Sequence, residues 1–231
     1  ENDYVDFYNE RMLPRIFSRE GPKAATADVN GDGLTDIYIG GAEGQTGQLY
    51  LQTKAGAFIK KEQQAFKQPY LVDEVADLFF DADADGDMDL LVCPGGNNHT
   101  TGSRELGIRL FNNDGKGNFT QNTTAFPETG MNISVAIAND FNNDGYADLC
   151  IGGRSCPGVY GKDSQSFLFV NDGHGHFSDM AKTKNANIAS IGMVTGAVWA
   201  DITGDKQKEL VIAGEWMAPR IFSFNKDHFE E

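Results

Sequence analysis

Five of the nine residues at 81–89, DADADGDMD, are aspartates, and their spacing suits a hard divalent cation. Two carboxylates about 4 Å apart repel by roughly 4 kcal/mol at an effective dielectric near 20, so such a run splays into water, takes up protons or binds metal. Calcium takes six to eight oxygen ligands and suits short loops that offer one at every second residue. Asp81, Asp83, Asp85 and Asp89 hold that phase, the backbone carbonyl of Asp87 falls at the seventh place, and Gly86 stands where the loop turns. A single run of this kind is equally well read as a solvated acidic turn.

The run recurs. DVNGDGLTD at 28–36, DFNNDGYAD at 140–148 and DITGDKQKE at 201–209 repeat it at intervals of 53, 59 and 61 residues. The first offers Asp28, Asn30, Asp32 and Asp36 with the carbonyl of Leu34, and the third offers Asp140, Asn142, Asp144 and Asp148 with that of Tyr146. Calcium is expected in these three loops. The fourth keeps Asp201, Thr203, Asp205 and Glu209 but has Lys206 for the turn glycine. A non-glycine residue resists the left-handed conformation and an ammonium competes with a cation, so this site is expected to be weak or empty, its loop kept for shape. EF-hands are excluded, because the twelfth positions are Ile39, Val92 and Ile151 where that motif needs glutamate, and the flanks read as strands.

The elements that position these loops repeat with them. Each loop follows an alternating or apolar segment (KAATADVN, VADLFFDAD, SVAIANDFN, GAVWADIT) and precedes a short apolar strand (DIYIGG, DLLVCPGG, DLCIGG, ELVIAG). A hairpin follows, as in IRLFNNDGKGNF and FLFVNDGHGHF, its Asn and Gly tolerating positive φ and its closing phenylalanines aligning at Phe58, Phe119, Phe177 and Phe229. Four short strands per unit at this period predict an all-β chain, a β-propeller or propeller segment with four visible four-stranded blades at about 22–62, 75–121, 134–180 and 195–231. Linkers fall near 63–74, 122–133 and 181–194. Residues 1–21 do not match the unit and read as an N-terminal arm or a closing strand, with 22–231 as the propeller segment.

DVNGDGLTDIYIGG, followed by these hairpins, resembles FG-GAP/VCBS repeats, the calcium-loop blades also found in integrin α-subunit propellers. GGRSCPGVYGKDSQSFLFVNDGHGHFSDM with GMVTGAVWADITGDKQKELVIAGEWM is similar to the extracellular bacterial proteins grouped with the ASPIC/UnbV family. The resemblance implies calcium on the positions named, a location outside the cytoplasm (cell surface, periplasm or secreted) and a role in adhesion or binding. Such propellers usually close with about seven blades, so the four seen here are expected to be part of a longer chain.

The 34 acidic and 19 basic residues give a formal charge of −15, which disfavours nucleic acid and anionic membrane as partners; no membrane-inserting run is read. Three calcium ions would bring it to about −9. The three cysteines form no metal-binding spacing; Cys93 and Cys150 read as core residues, and no disulfide is expected. His174 and His176 fall in a hairpin turn and read as exposed turn residues rather than an acid–base pair. Recognition is expected on the loops between second and third strands, which vary most, through Arg104, Arg154, Tyr160 and Trp216, residue types that dominate binding hot spots. The competing reading of Trp216 is packing between blades. The function expected is a calcium-stabilised module binding a protein or glycan. The alternative is a carbohydrate-active lyase or hydrolase, disfavoured because no nucleophile elbow, P-loop or zinc-protease motif occurs.

Overall fold

The computed structural model describes residues 4–67 and 70–231; positions 1–3 of the expected arm and 68–69 of the first expected linker lie outside the described residues. Sixteen strands form four antiparallel four-stranded sheets, each a meander in chain order. The first sheet holds β1 (Ala24–Ala27), β2 (Asp36–Ile39), β3 (Gln48–Gln52) and β4 (Phe58–Lys61). The second holds β5 (Asp73–Phe80), β6 (Asp89–Gly95), β7 (Arg109–Asn113) and β8 (Phe119–Asn122), and the third β9 (Asn132–Asn139), β10 (Asp148–Ser155), β11 (Phe167–Asn171) and β12 (Phe177–Asp179). The fourth holds β13 (Met193–Ala200), β14 (Glu209–Glu215), β15 (Arg220–Asn225) and β16 (His228–Glu230). Each acidic loop joins the first and second strands of its sheet, as the repeat predicts. Among the described residues, helix is confined to single turns: α1 (Asp6–Asn9), α2 (Ala181–Lys184), α3 (Ala186–Ala189) and a 3₁₀ turn at Arg104–Leu106.

Successive sheets pack face to face, as propeller blades do, and the second strands show why the sequence permits it. Side chains alternate across a strand, so a strand buried on both faces reads as a continuous apolar run. In β6, Leu90 and Val92 enter the core shared with the first sheet, whereas Leu91 and Cys93 enter the core shared with the third. In β10, Leu149 and Ile151 face the second sheet while Cys150 faces the fourth. First strands lie side by side, β1 on β5, β5 on β9 and β9 on β13, so the sheets splay from a common inner edge.

The hairpin phenylalanines close these cores. Phe119, Phe177 and Phe229 are buried; Phe177 meets Phe80 of the preceding sheet, and Phe229 meets Phe141 and Trp199. Phe58 departs from the aligned pattern, at 45% exposure, because among the described residues no sheet precedes its own to cover it. The three cysteines are free and buried.

The described part of the N-terminal segment, residues 4–21, contributes one helical turn and no strand. It is held by the buried Asp6 carboxylate, which accepts from the backbone N–H of Phe17 and Ser18 (3.3 and 3.2 Å), and by the Tyr4 phenol, which donates to the Asn97 carbonyl at 3.0 Å.

Candidate metal loops and recognition surface

All four loops share one backbone path. Their fourth and sixth residues take positive φ: Gly31 and Gly33 (72° and 82°), Ala84 and Gly86 (62° and 92°), Asn143 and Gly145 (58° and 94°), Gly204 and Lys206 (80° and 76°). Lys206 therefore adopts the left-handed conformation that a side chain was expected to resist, and the fourth loop closes as the others do. The first aspartate caps each turn: Asp28 accepts from Gly33, Asp81 from Gly86, Asp140 from Gly145 and Asp201 from Lys206, at 2.7–3.1 Å. Burial opposes ionisation of Asp28, but the N–H groups of Gly33, Asn30, Gly31 and Asp32 outweigh it and hold the carboxyl below its ordinary range.

The ninth carboxylates are the buried ones. Asp36, Asp89, Asp148 and Glu209 are almost fully enclosed. Asp89 accepts from Ala82 N–H of its own loop at 2.9 Å and from Asn113 N–H of β7 at 2.8 Å; Asp36 does the same with Val29 and Gln52. Asp36, Asp89 and Asp148 each tie the loop to the third strand of their sheet. Burial pushes Asp89 up to about 7 against those two donors, with the Asp83 and Asp85 charges adding to it, and Asp148 likewise to about 7.

In the second loop an oxygen each of Asp81, Asp83 and Asp89 lie within 4.8 Å of one another. Asp81 Oδ1 and Asp83 Oδ1 are buried and accept no hydrogen bond. Three converging carboxylates, two of which carry a buried oxygen without a donor, fit a hard cation, and the set contains no nitrogen or sulfur. Asp85 lies outside this trio and turns one oxygen to the Asp87 N–H at 2.9 Å, as Asp32 does to Leu34 and Asp144 to Tyr146. The first and third loops have an amide, Asn30 and Asn142, where the second has Asp83, so their carboxylates are fewer and less mutually repelled.

A residue absent from the expected set joins neighbouring loops. Asn113 Nδ2 donates to the Val29 carbonyl of the first loop at 2.8 Å and to the Met88 carbonyl of its own at 3.1 Å. Asn171 does the same one sheet later, to Ala82 at 2.9 Å and Ala147 at 3.1 Å. The signal in the sequence was the Asn before Asp-Gly in both hairpins, there read only as turn chemistry. His174 and His176 are exposed in the second of these turns.

Three of the four expected recognition residues converge. Arg154 is 1% exposed; its Nη1 and the Tyr160 phenol both donate to Glu215 Oε2 at 3.1 Å. The Tyr160 ring stands 5.1 Å from that of Trp216 and 5.5 Å from that of Phe17, and the Arg154 guanidinium lies 4.3 Å from the Phe17 ring. Trp216 is not packed between sheets: it is 78% exposed at φ 58°. Arg104 lies on a different loop, between β6 and β7, exposed on its 3₁₀ turn. The N-terminal segment supplies Phe17, Glu10 and Glu20 to this surface, with Tyr160 N–H donating to Glu10 at 2.8 Å.

A model of the FG-GAP-like repeat matches residues 28–92 and 81–151. Among solved structures the chain is similar to an Agrocybe aegerita lectin, described by its specific recognition of non-reducing terminal N-acetylglucosamine, with a TM-score of 0.58 and 18% identity. The match covers 89% of this chain and 50% of that one, so this chain spans half the length of the lectin chain, and the likeness is one of fold. No curated protein matches in sequence.

Proposed function

The chain belongs to the FG-GAP-like repeat family, and from that premise we propose that it is a calcium-stabilised, extracytoplasmic binding module whose ligand is a glycan. In this reading residues 22–231 are one propeller segment, with blades at 22–62, 75–121, 134–180 and 195–231, and residues 1–21 are an arm against it. Calcium sits in the first three loops on the oxygens of positions one, three, five, seven and nine. The converging oxygens of Asp81, Asp83 and Asp89 support this. Its role is structural: it cancels the repulsion within each loop and fixes the joint between first and second strands. Modules that bind calcium at 10⁻⁴–10⁻³ M work where the free ion is that abundant, which is outside the cytoplasm.

The observation that carries the glycan reading is Trp216. A large aromatic ring 78% exposed, on a residue at φ 58°, is costly to hold unless something uses it. Tyr160 braces it at its edge, and Glu215 and Arg154 stand behind with polar groups. Aromatic platforms flanked by polar groups suit sugar rings, which present C–H faces and hydroxyls together. The lectin's recognition of terminal N-acetylglucosamine belongs to that protein, and it makes glycans the first class to test here. The test is glycan-array and calorimetric binding in millimolar calcium with the parent and Trp216→Ala. Loss of at least tenfold in affinity at unchanged melting temperature is expected; unchanged binding would overturn the reading.

A further inference from the structure

The inner edge of the array holds a cavity of about 350 Å³. Its walls are the starts of the first strands, with Lys23 just ahead of β1, Ser134 in β9 and Thr195 in β13, together with Arg154 from β10. The N-terminal segment covers it with Arg15, Arg19 and Glu20. Among the described residues, four cations and one carboxylate line this space, in a chain whose formal charge is −15.

Arg154 gives the cavity a built donor. Its guanidinium is fixed between Glu20, 3.3 Å from Nε, and Glu215, 3.1 Å from Nη1, with the Phe17 ring 4.3 Å from its centre. Nη2 is buried and finds no acceptor. A buried N–H without a partner carries its full desolvation cost, which an incoming oxyanion would remove, and a planar guanidinium suits carboxylates and phosphates. Arg15 pairs with Glu20 at 2.9 Å but is 56% exposed, so its charge can turn toward a ligand. The same Arg154 reaches the Tyr160–Trp216 pair through Glu215.

We propose that this cavity binds the carboxylate of an acidic sugar, Arg154 donating from Nη2 and Arg15 and Lys23 supplying the remaining positive charge. This rests on the glycan reading above and names its class. A neutral ring on Trp216 and a uronate carboxylate at Arg154 would be one oligosaccharide engaging two neighbouring features. The net positive lining makes the interaction sensitive to ionic strength, unlike stacking on Trp216.

The experiment is calorimetry of the full chain in calcium with trigalacturonate, the neutral galactotriose and inorganic phosphate, using the parent, Trp216→Ala and the exposed pair Arg15→Gln/Lys23→Gln. Arg154→Gln is added with a melting curve, because loss of a buried ion-pair partner can unfold the chain. The parent is expected to bind trigalacturonate at least tenfold more tightly than galactotriose. The Arg15/Lys23 variant should remove that preference while retaining galactotriose binding. Equal affinity for the two trisaccharides, or an unchanged preference in that variant, overturns the acidic-sugar inference and leaves the glycan reading standing. Phosphate binding at the affinity of trigalacturonate, competing with it, also overturns the inference, since the site would then take any oxyanion. Binding of neither trisaccharide overturns the acidic-sugar inference, and the glycan reading is then decided by the array and Trp216→Ala test above.

Discussion

Asn171, at the end of the third strand of the third sheet, donates its side-chain N–H to the backbone carbonyl of Ala82, in the acidic loop of the second sheet, at 2.9 Å. The same amide nitrogen serves Ala147 in its own loop, its oxygen accepts Gly173 N–H at 3.0 Å, and its backbone N–H serves Asp148 at 2.9 Å. One buried side chain thus locks two loops and a hairpin. Asn171→Ala leaves two carbonyls and one N–H without partners, and a loss of about 2–4 kcal/mol is expected. Asn113→Ala removes the matching pair of bonds to loop carbonyls one sheet earlier, together with the Gly117 N–H bond to the Asn113 oxygen at 3.0 Å, and should cost a similar amount. Asn225→Ala should cost under about 0.5 kcal/mol, because Asn225 is exposed and, among the described residues, its side-chain amide donates to the Glu230 carboxylate alone, at 3.1 Å. Urea denaturation of the three variants checks the ranking, and equal losses would contradict it.

The repeat was legible because its chemistry is local. Asp81 to Asp89 sit in nine consecutive residues, and the alternation of β6 follows from Leu90, Leu91, Val92 and Cys93 as written. The Asn113 and Asn171 links were not legible, because their partners Val29 and Ala82 lie 84 and 89 residues earlier. The double duty of Asp36 and Asp89 was hidden likewise, since only the folded sheet brings Gln52 and Asn113 to them. Arg154, Tyr160 and Trp216 could be chosen by residue type, but Phe17 and Glu20 come from a segment with no periodicity to announce it. Lys206 was read through backbone preference and through the charge of its ammonium. The geometry of the loop, with Gly204 and Lys206 donating to Asp201, overrides that preference.

That override carries a cost. Lys206 at φ 76° sits where an L-residue is less stable than glycine by about 1–2 kcal/mol, partly offset by the freedom glycine loses on folding. Lys206→Gly is expected to stabilise the chain by about 0.5–1 kcal/mol and to raise the calcium bound at saturation by one ion. Calorimetric stoichiometry beside a melting curve checks both, and a lower melting temperature would contradict the strain argument.

Asp77 makes stability depend on pH. Both its carboxylate oxygens are buried without a hydrogen-bond partner, and burial pushes its pKa up to about 8, Glu74 adding to the rise and Arg109 opposing it. The unfolded value is about 3.9, so between pH 4 and 8 the folded chain keeps a proton that the unfolded chain releases. Stability from this group is therefore complete below about pH 4 and falls as pH rises to about 8. Asp77→Asn should remove that slope and gain on the parent as pH rises, by on the order of 5 kcal/mol between pH 4 and pH 8. Denaturation of both proteins at pH 4, 6 and 8 in excess calcium measures it; a constant difference across that range would contradict the assignment.

Calcium as the element that holds each loop is tested most directly by thermal melting of the parent, Asp83→Ala and Asp205→Ala, each in chelator and in saturating calcium at fixed ionic strength. Free calcium a hundredfold above its dissociation constant contributes about 2.7 kcal/mol per site. The parent should melt well above its chelated form. Asp83→Ala should lose a clear share of that gain, because it removes one of the three carboxylates that converge in the second loop. Asp205→Ala should keep nearly all of it, because Lys206 already stands in the fourth loop. The same melting temperature for the parent in chelator and in saturating calcium would contradict the account at its base.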